Sequence, residues 1–338
     1  MRILLHVGQP KTGTSTIQGT LKKNRRALRD VGVLYPRTGL KGGGHHRLGF
    51  IAEEPGAWSP DWIPSDDLDG LASELVEEIR ANPADVVVLS SEVLFHRRSP
   101  GRLVRLLQER IPDADLEVYA FLRRQDLYLE AAYSQQLKTG QTTLSRDEFL
   151  QVNLDHRRAD YHHLLGRWAD EVGWDRVAAE PFEPDVDAID VVERFVGRLG
   201  VEVALAPVEW RNTRLARDAI ELLRVMPPER RIGQREAMLI RDLSAWSETV
   251  EEPPSWRHFW SLEERRSILD LHAESNARLA GALNSTQERF FRGEPQDDGP
   301  PYPGLSVDRA AELARFLWDR GADARLTLRD KRRREAAS

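Results

Sequence analysis

A three-layer α/β fold with a central parallel sheet and additional C-terminal helices is what this sequence predicts. Three observations predict it: an apolar run at residues 2–7 that stops at Gly8, a β-branched run at 86–89, and an alternation of strand-like and helix-like segments over 86–138. Strands alternating with helices form parallel sheets, because each crossover helix returns the chain to the edge it started from.

Residues 2–7 form the first strand. From about Thr14 the apolar residues Ile17, Leu21, Leu28 and Val31 recur at helical spacing and predict a helix that Gly32 closes. Tyr35-Pro36 then marks a turn, since the residue before proline is pushed out of the helical region. Val86-Val87-Val88-Leu89 is too short for a helix and reads as a buried parallel strand ending at Ser90-Ser91-Glu92. A helix at about 102–111, a third strand near 116–122 and a helix at about 126–138 complete the alternation. Beyond Thr139 the pattern is mainly helical, with Tyr161, Leu164, Leu165 and Trp168 on one face, a short strand near 177–180, and helices at about 189–199, 218–225 and 261–283. The polar, turn-rich run at 293–304 reads as a linker, followed by a helix from Val307 to about Arg320. The run Lys331-Arg332-Arg333-Arg334 reads as a solvated tail. The expected division is an α/β domain at 1–285, a linker at 286–306, and a C-terminal helix with basic tail at 307–338, with no internal repeat.

The chain has 338 residues, 40% hydrophobic and 31% charged, enough periodic apolar sequence for one large or two smaller domains. It contains no cysteine, which removes disulfides, thiolate metal sites and thiol nucleophiles. No apolar run approaches the roughly 18 residues that span a bilayer, and the first residues lack the apolar core and cleavage site of a signal peptide. A cytoplasmic protein is expected. The formal charge of −6 argues against a general nucleic-acid binder, while leaving room for a small anionic ligand in a local basic pocket.

The loop after the first strand reads Gly8-Gln9-Pro10-Lys11-Thr12-Gly13-Thr14-Ser15-Thr16. Compared with the nucleotide loop G-x-x-x-x-G-K-[ST], Gly8 and Gly13 fit the glycines and Ser15 fits the hydroxyl. Thr14 fills the lysine position, and the loop's lysine, Lys11, stands three residues earlier. This is a P-loop-like cradle: glycines allow close approach, and the helix N-terminus offers free amides and a positive dipole end. The lysine that bridges β and γ phosphates is displaced, which disfavours ordinary nucleoside-triphosphate hydrolysis.

Pro10-Lys11-Thr12-Gly13-Thr14-Ser15 after a strand resembles the 5′-phosphosulfate loop of sulfotransferases that use 3′-phosphoadenosine 5′-phosphosulfate (PAPS). Leu122-Arg123-Arg124-Gln125-Asp126 at the end of the third strand looks like that family's 3′-phosphate region. The resemblance implies that residues 10–16 hold the 5′-phosphosulfate, with Lys11 on the leaving phosphate oxygen, and that Arg123 holds the 3′-phosphate. A guanidinium suits that task because its fork donates two parallel hydrogen bonds. The family's serine eight positions after the arginine is Ala131 here, so Ser134 or Arg124 would take its place. Glu180-Pro181-Phe182, Arg211-Asn212-Thr213 and Ser275-Asn276 extend the similarity toward bacterial sulfotransferase-like proteins, with Arg211 as a further cofactor contact. The resemblance also implies that no metal is needed.

Sulfuryl transfer needs a base for the acceptor proton. Glu92 follows the second strand at the carboxyl edge where open α/β sheets bind ligands, and it is the favoured base, with His45, His46 and His96 as alternatives. His96, before Arg97-Arg98, reads as exposed; His6 reads as packed or hydrogen-bonded near the loop. His45 and His46, in a flexible loop after Gly42-Gly43-Gly44, together with Trp58 and Trp62, are candidate acceptor-site residues. Tyr133, Trp256, Phe259 and Trp260 serve either core packing or stacking on an acceptor. The expected activity is sulfuryl transfer to a hydroxyl of a small molecule or carbohydrate; the rivals are a Mg²⁺-dependent kinase or NTPase using Ser15 and Glu92, and a nucleotide binder without turnover.

Overall fold

The computed structural model describes residues 1–51, 68–96, 100–184, 186, 190–208, 214–226, 234–284 and 289–335. In chain order the elements are β1 (Arg2–His6), α1 (Thr14–Lys23), α2 (Arg25–Asp30), β2 (Val33–Leu34), α3 (His46–Ile51), α4 (Leu68–Ala81), β3 (Val86–Ser90), α5 (Gly101–Arg110) and β4 (Asp115–Leu122). They continue with α6 (Gln125–Lys138), α7 (Arg146–Asp155), α8 (Tyr161–Val172), β5 (Val177–Pro181), α9 (Val191–Leu199), α10 (Arg217–Val225), α11 (Gln234–Ser247), α12 (Leu262–Ala282) and α13 (Val307–Glu335). No described helix is long and apolar enough to cross a membrane.

The five strands form one parallel sheet in the order β2-β3-β1-β4-β5. Its β1 strand lies at the centre, with His6 in register with Ser90 of β3 and Tyr119 of β4. The sheet is covered on both faces, so Ile3, Leu4, Leu5, Val87 and Val88 lose all exposure despite pointing alternately to opposite sides. One face packs Leu4, Val86, Val88, Tyr119 and Phe121 against Ile17 and Leu21 of α1 and Phe195 and Leu199 of α9. The buried stripe of α5, Leu103, Val104, Leu106 and Leu107, follows helical spacing.

Sequence spacing locates β1, β3, β4 and β5 within a residue or two, and several helices differ in extent. The expected helix from Thr14 to Gly32 is two helices, because Asn24 leaves helical geometry; its side-chain amide donates to the Thr20 carbonyl and to Ala206, and its oxygen accepts the Ala206 amide. The two-residue β2 offers no alternation to read. Helix α13 begins at Val307 as expected and runs past Arg320 to Glu335, with no proline to stop it.

The chain folds as two compact units interleaved in sequence. One comprises Met1–Tyr128, His156–Trp210 and Ile268–Glu294, and holds the sheet. The other comprises Leu129–Asp155, Arg211–Ser267 and Pro295–Ser338. Within the second, the Arg217 guanidinium lies 3.1 Å from Glu130 and 3.7 Å from the centre of the Phe259 ring. Glu130 also accepts the amides of Phe259 and Trp260, so this buried ion pair is satisfied on both sides.

Gly32 turns the chain from α2 into β2 at φ +78°, a left-handed conformation that costs an L-residue roughly 1–2 kcal/mol. Gly32→Ala is expected to lower stability by about that amount, and Gly32→Asn by less, because asparagine tolerates this region better. Urea midpoints of the three proteins check this order; equal midpoints would show that the turn relaxes.

Candidate functional site

Parallel pairing brings the carboxyl ends of β1, β3 and β4 to one edge, and the loops leaving them carry the residues of interest. The loop after β1 wraps tightly. Gly13 caps α1 at φ +78° and, having no side chain, supplies no side-chain acceptor for the helix's first amides. A methyl at Gly13 would lie 2.9 Å from Val191 Cγ1, and one at Gly8 would lie 2.7 Å from His6 Nε2 and 2.8 Å from Thr14 Oγ1. Both glycines are required by close approach. Lys11, between them, also has a left-handed backbone, at φ +73°. Such strain in a non-glycine residue persists only where surrounding contacts impose it.

Those contacts centre on Gln9. Its carbonyl accepts the hydroxyls of Thr12, at 2.7 Å, and Thr14, at 3.3 Å. These two threonines therefore brace the loop with their side chains and have only their amides to offer an anion, whereas Ser15 is exposed. Arg123, just past β4, donates from Nη1 to the Lys11 carbonyl at 3.4 Å, which brings the two basic residues singled out in the sequence to the same loop. Next to it, Arg124 makes a bidentate pair with the buried Asp126. The residues present fit an anionic nucleotide: a glycine cradle, a helix N-terminus and two cationic side chains on one frame.

Glu92 opens a short turn after β3 capped by Ser91, whose hydroxyl accepts the Val93 amide. Its carboxylate accepts Gln18 Nε2 at 3.0 Å and lies 3.9 Å from His46 Nε2. Gln18 also donates to Ser90 Oγ at 3.2 Å, so one buried amide on α1 ties the helix that follows the glycine loop to the candidate base. His46 starts α3, and its Nδ1 shares a hydrogen with Ser91 Oγ at 2.9 Å.

The segment around His45 and His46 is not a flexible loop. Tyr35 donates to the Gly43 carbonyl, Lys22 to the Gly42 carbonyl, and Lys41 and Gly44 form a bridge. A methyl at Gly44 would lie 2.7 Å from Gln18 Nε2, so the glycine run lets this segment close on the α1 amide. His45 itself is fully buried: Nε2 donates to the Pro36 carbonyl and Nδ1 accepts the Ser90 amide. With both nitrogens committed inside the protein, it is a core residue and not an acceptor contact.

His96 is also more enclosed than expected, sharing a 2.9 Å hydrogen bond with Tyr128. His6 shares one of 2.8 Å with Ser90 Oγ beneath the loop. Trp58, Trp62 and Arg211 lie outside the described residues. Ser134 belongs to the second unit, where its hydroxyl accepts from Arg217 Nη1. Tyr133, Phe259 and Trp260 are buried together in that unit's core.

No protein-family model and no curated protein matches this chain. Among solved structures it is similar to a sulfotransferase from Alicyclobacillus acidocaldarius, with 17% identity, a TM-score of 0.48, and coverage of 85% of this chain and 97% of that one.

Sequence reasoning missed four contributors. Gln9 and Gln18 are neutral amides whose type and spacing carry no signal, and Tyr161 reads as a core position of α8. The fourth is the segment at 292–293, whose Arg292 and Gly293 amides donate to Glu183; a methyl at Gly293 would lie 3.0 Å from Arg124 Nη1.

Burial pushes the imidazoles of His6, His45 and His96 from 6.5 down to about 3, with an added push at His96 from Arg158 and Arg167. Between those values the unfolded chain binds protons that the folded chain does not, so stability rises with pH across this window and falls as the pH drops through it. Each histidine contributes a slope of up to about 1.4 kcal/mol per pH unit. Denaturation midpoints are expected to hold steady above pH 7 and to fall steeply from 6 to 4, less steeply in His45→Gln. A flat profile down to pH 5 would contradict the neutral, buried assignment.

Proposed function

We propose that this protein is a sulfotransferase that moves a sulfuryl group from PAPS to an acceptor hydroxyl on a small molecule or carbohydrate. The observation that carries the reading is the loop itself: Thr14 occupies the nucleotide-loop lysine position with its hydroxyl turned onto Gln9, while Lys11 sits inside the loop in a left-handed conformation whose carbonyl is bonded to Arg123. A lysine there serves the first phosphate of a nucleotide rather than a terminal one.

Bound PAPS supplies an activated sulfuryl group on a phosphate leaving group. The amides at the start of α1, with the Ser15 and Thr16 hydroxyls, hold the 5′ anion, and the helix dipole favours it there. Lys11 Nζ neutralises negative charge as it grows on the leaving oxygen, an interaction that strengthens toward the transition state. Arg123 takes the 3′-phosphate. Glu92, aimed by Gln18 and His46, accepts the acceptor's proton on a carboxylate oxygen; such a positioned base contributes typically 10²–10⁴-fold.

Thermal-shift titration with adenosine 3′,5′-bisphosphate (PAP), ADP and Mg-ATP at equal concentrations tests the reading. PAP at about 100 times its Kd is expected to add about 2.7 kcal/mol of stability. Arg123→Ala should lose most of that gain, whereas Glu92→Gln should keep it and lose acceptor-dependent release of PAP. Stabilisation by Mg-ATP alone would overturn sulfuryl transfer in favour of a kinase or NTPase.

A further inference from the structure

Beyond the last ladder bond between β1 and β4, from the Val7 amide to the Tyr119 carbonyl, two parallel strands have no obligation to stay together. Here they are joined again, by side chains. Gln9 Oε1 accepts the Arg123 amide at 2.7 Å, Gln9 Nε2 donates to Tyr161 Oη at 2.8 Å, and the Tyr161 hydroxyl donates to the Arg123 carbonyl at 2.5 Å. The ring is closed, and it holds both ends of one residue's backbone. It also fixes which way each group points: a flipped Gln9 amide would set N–H against N–H, and an ionised Tyr161 could not donate. Burial raises the Tyr161 hydroxyl well above its ordinary value, so it stays protonated.

Both side chains are fully enclosed. Gln9 belongs to the loop that carries Lys11, and its own carbonyl braces Thr12 and Thr14, so its side chain and main chain serve the two halves of the site together. Tyr161 comes from the first turn of α8, which Asp160 caps by accepting the His163 amide. Asp160 is itself fixed by Ser275 Oγ at 2.6 Å. The anchor is therefore rigid on the side away from the loop.

We propose that Gln9 and Tyr161 are positioning residues that fix the separation of Lys11 and Arg123, so that the two phosphate groups of one nucleotide are bound as a unit. This rests on the PAPS reading above, and it assigns to these two neutral side chains the coupling between the 5′ and 3′ subsites. Two linked anchoring groups reinforce each other only where the geometry lets both engage at once, and that gain is lost where it does not. Loss of the clamp should therefore appear as lost cooperation between phosphates.

Isothermal titration of the full chain with PAP, adenosine 5′-phosphate and adenosine 3′-phosphate reads this directly. The ratio of the 5′-phosphate Kd to the PAP Kd measures what the 3′-phosphate adds once the other is seated. Tyr161→Phe, which deletes only the hydroxyl and keeps the ring packing, and Gln9→Leu are each expected to cut that ratio about tenfold or more, while changing affinity for adenosine 5′-phosphate by less than about threefold. A role in folding alone would lower the melting midpoint and leave the ratio intact, and that result in Tyr161→Phe overturns the clamp. If the unmodified protein shows no preference for PAP over adenosine 5′-phosphate, the PAPS reading itself fails.

Discussion

A single strand position governs this molecule. Because β1 lies between β3 and β4 in a parallel sheet, the chain leaves it toward one half of the sheet and returns through the other, and three carboxyl-end loops distant in sequence open onto one edge. The register that pairs His6 with both Ser90 and Tyr119 sets their relative heights. With the strands fixed, Gln9 meets the backbone of Arg123, and Gln18, one turn into the helix that β1 feeds, meets Ser90 and Glu92. A slip of one residue in β1 would break all of these contacts and would turn the strand's side chains to opposite faces.

The edge is polar underneath as well as on its surface. His6, Gln9, Thr12, His45, Ser90 and Ser91 are fully enclosed, and each has a hydrogen-bond partner inside the protein. A buried polar group left unpaired costs about 1–3 kcal/mol; in this floor the His6 ring is paired through Nδ1 while its Nε2 is buried with no partner. The left-handed Lys11 lies in the loop that Gln9, Thr12 and Thr14 brace above this floor. A loop braced this way has little freedom to rearrange.

Much of the fold is legible in the residues, because hydrophobic periodicity and glycine placement report local physics. Val86-Val87-Val88-Leu89 could hardly be anything but a buried strand, and the two loop glycines announce a tight strand-to-helix turn. The dipeptide strand Val33–Leu34 and the six-residue α3 fall below the length at which periodicity means anything. At the site, charged residues in a motif stand out. Gln9 and Tyr161 do not, since the pair is 152 residues apart and only the folded chain brings it together. His45 misleads for the opposite reason: a histidine after three glycines looks mobile, and only the bonds to Pro36 and Ser90 reveal it as core.

The placement of Gln18 on α1 makes that helix a ruler. One end of its first turns meets the glycine loop after β1 and the next turn holds the Glu92 carboxylate, a rise of about 6 Å over four residues. Inserting or deleting one residue there would swing everything beyond it by about 100° and carry Gln18 away from Glu92. A length change in that turn would therefore disturb the Gln18–Glu92 contact together with the core positions Ile17 and Leu21, so the same few residues set both the packing and the reach of the helix.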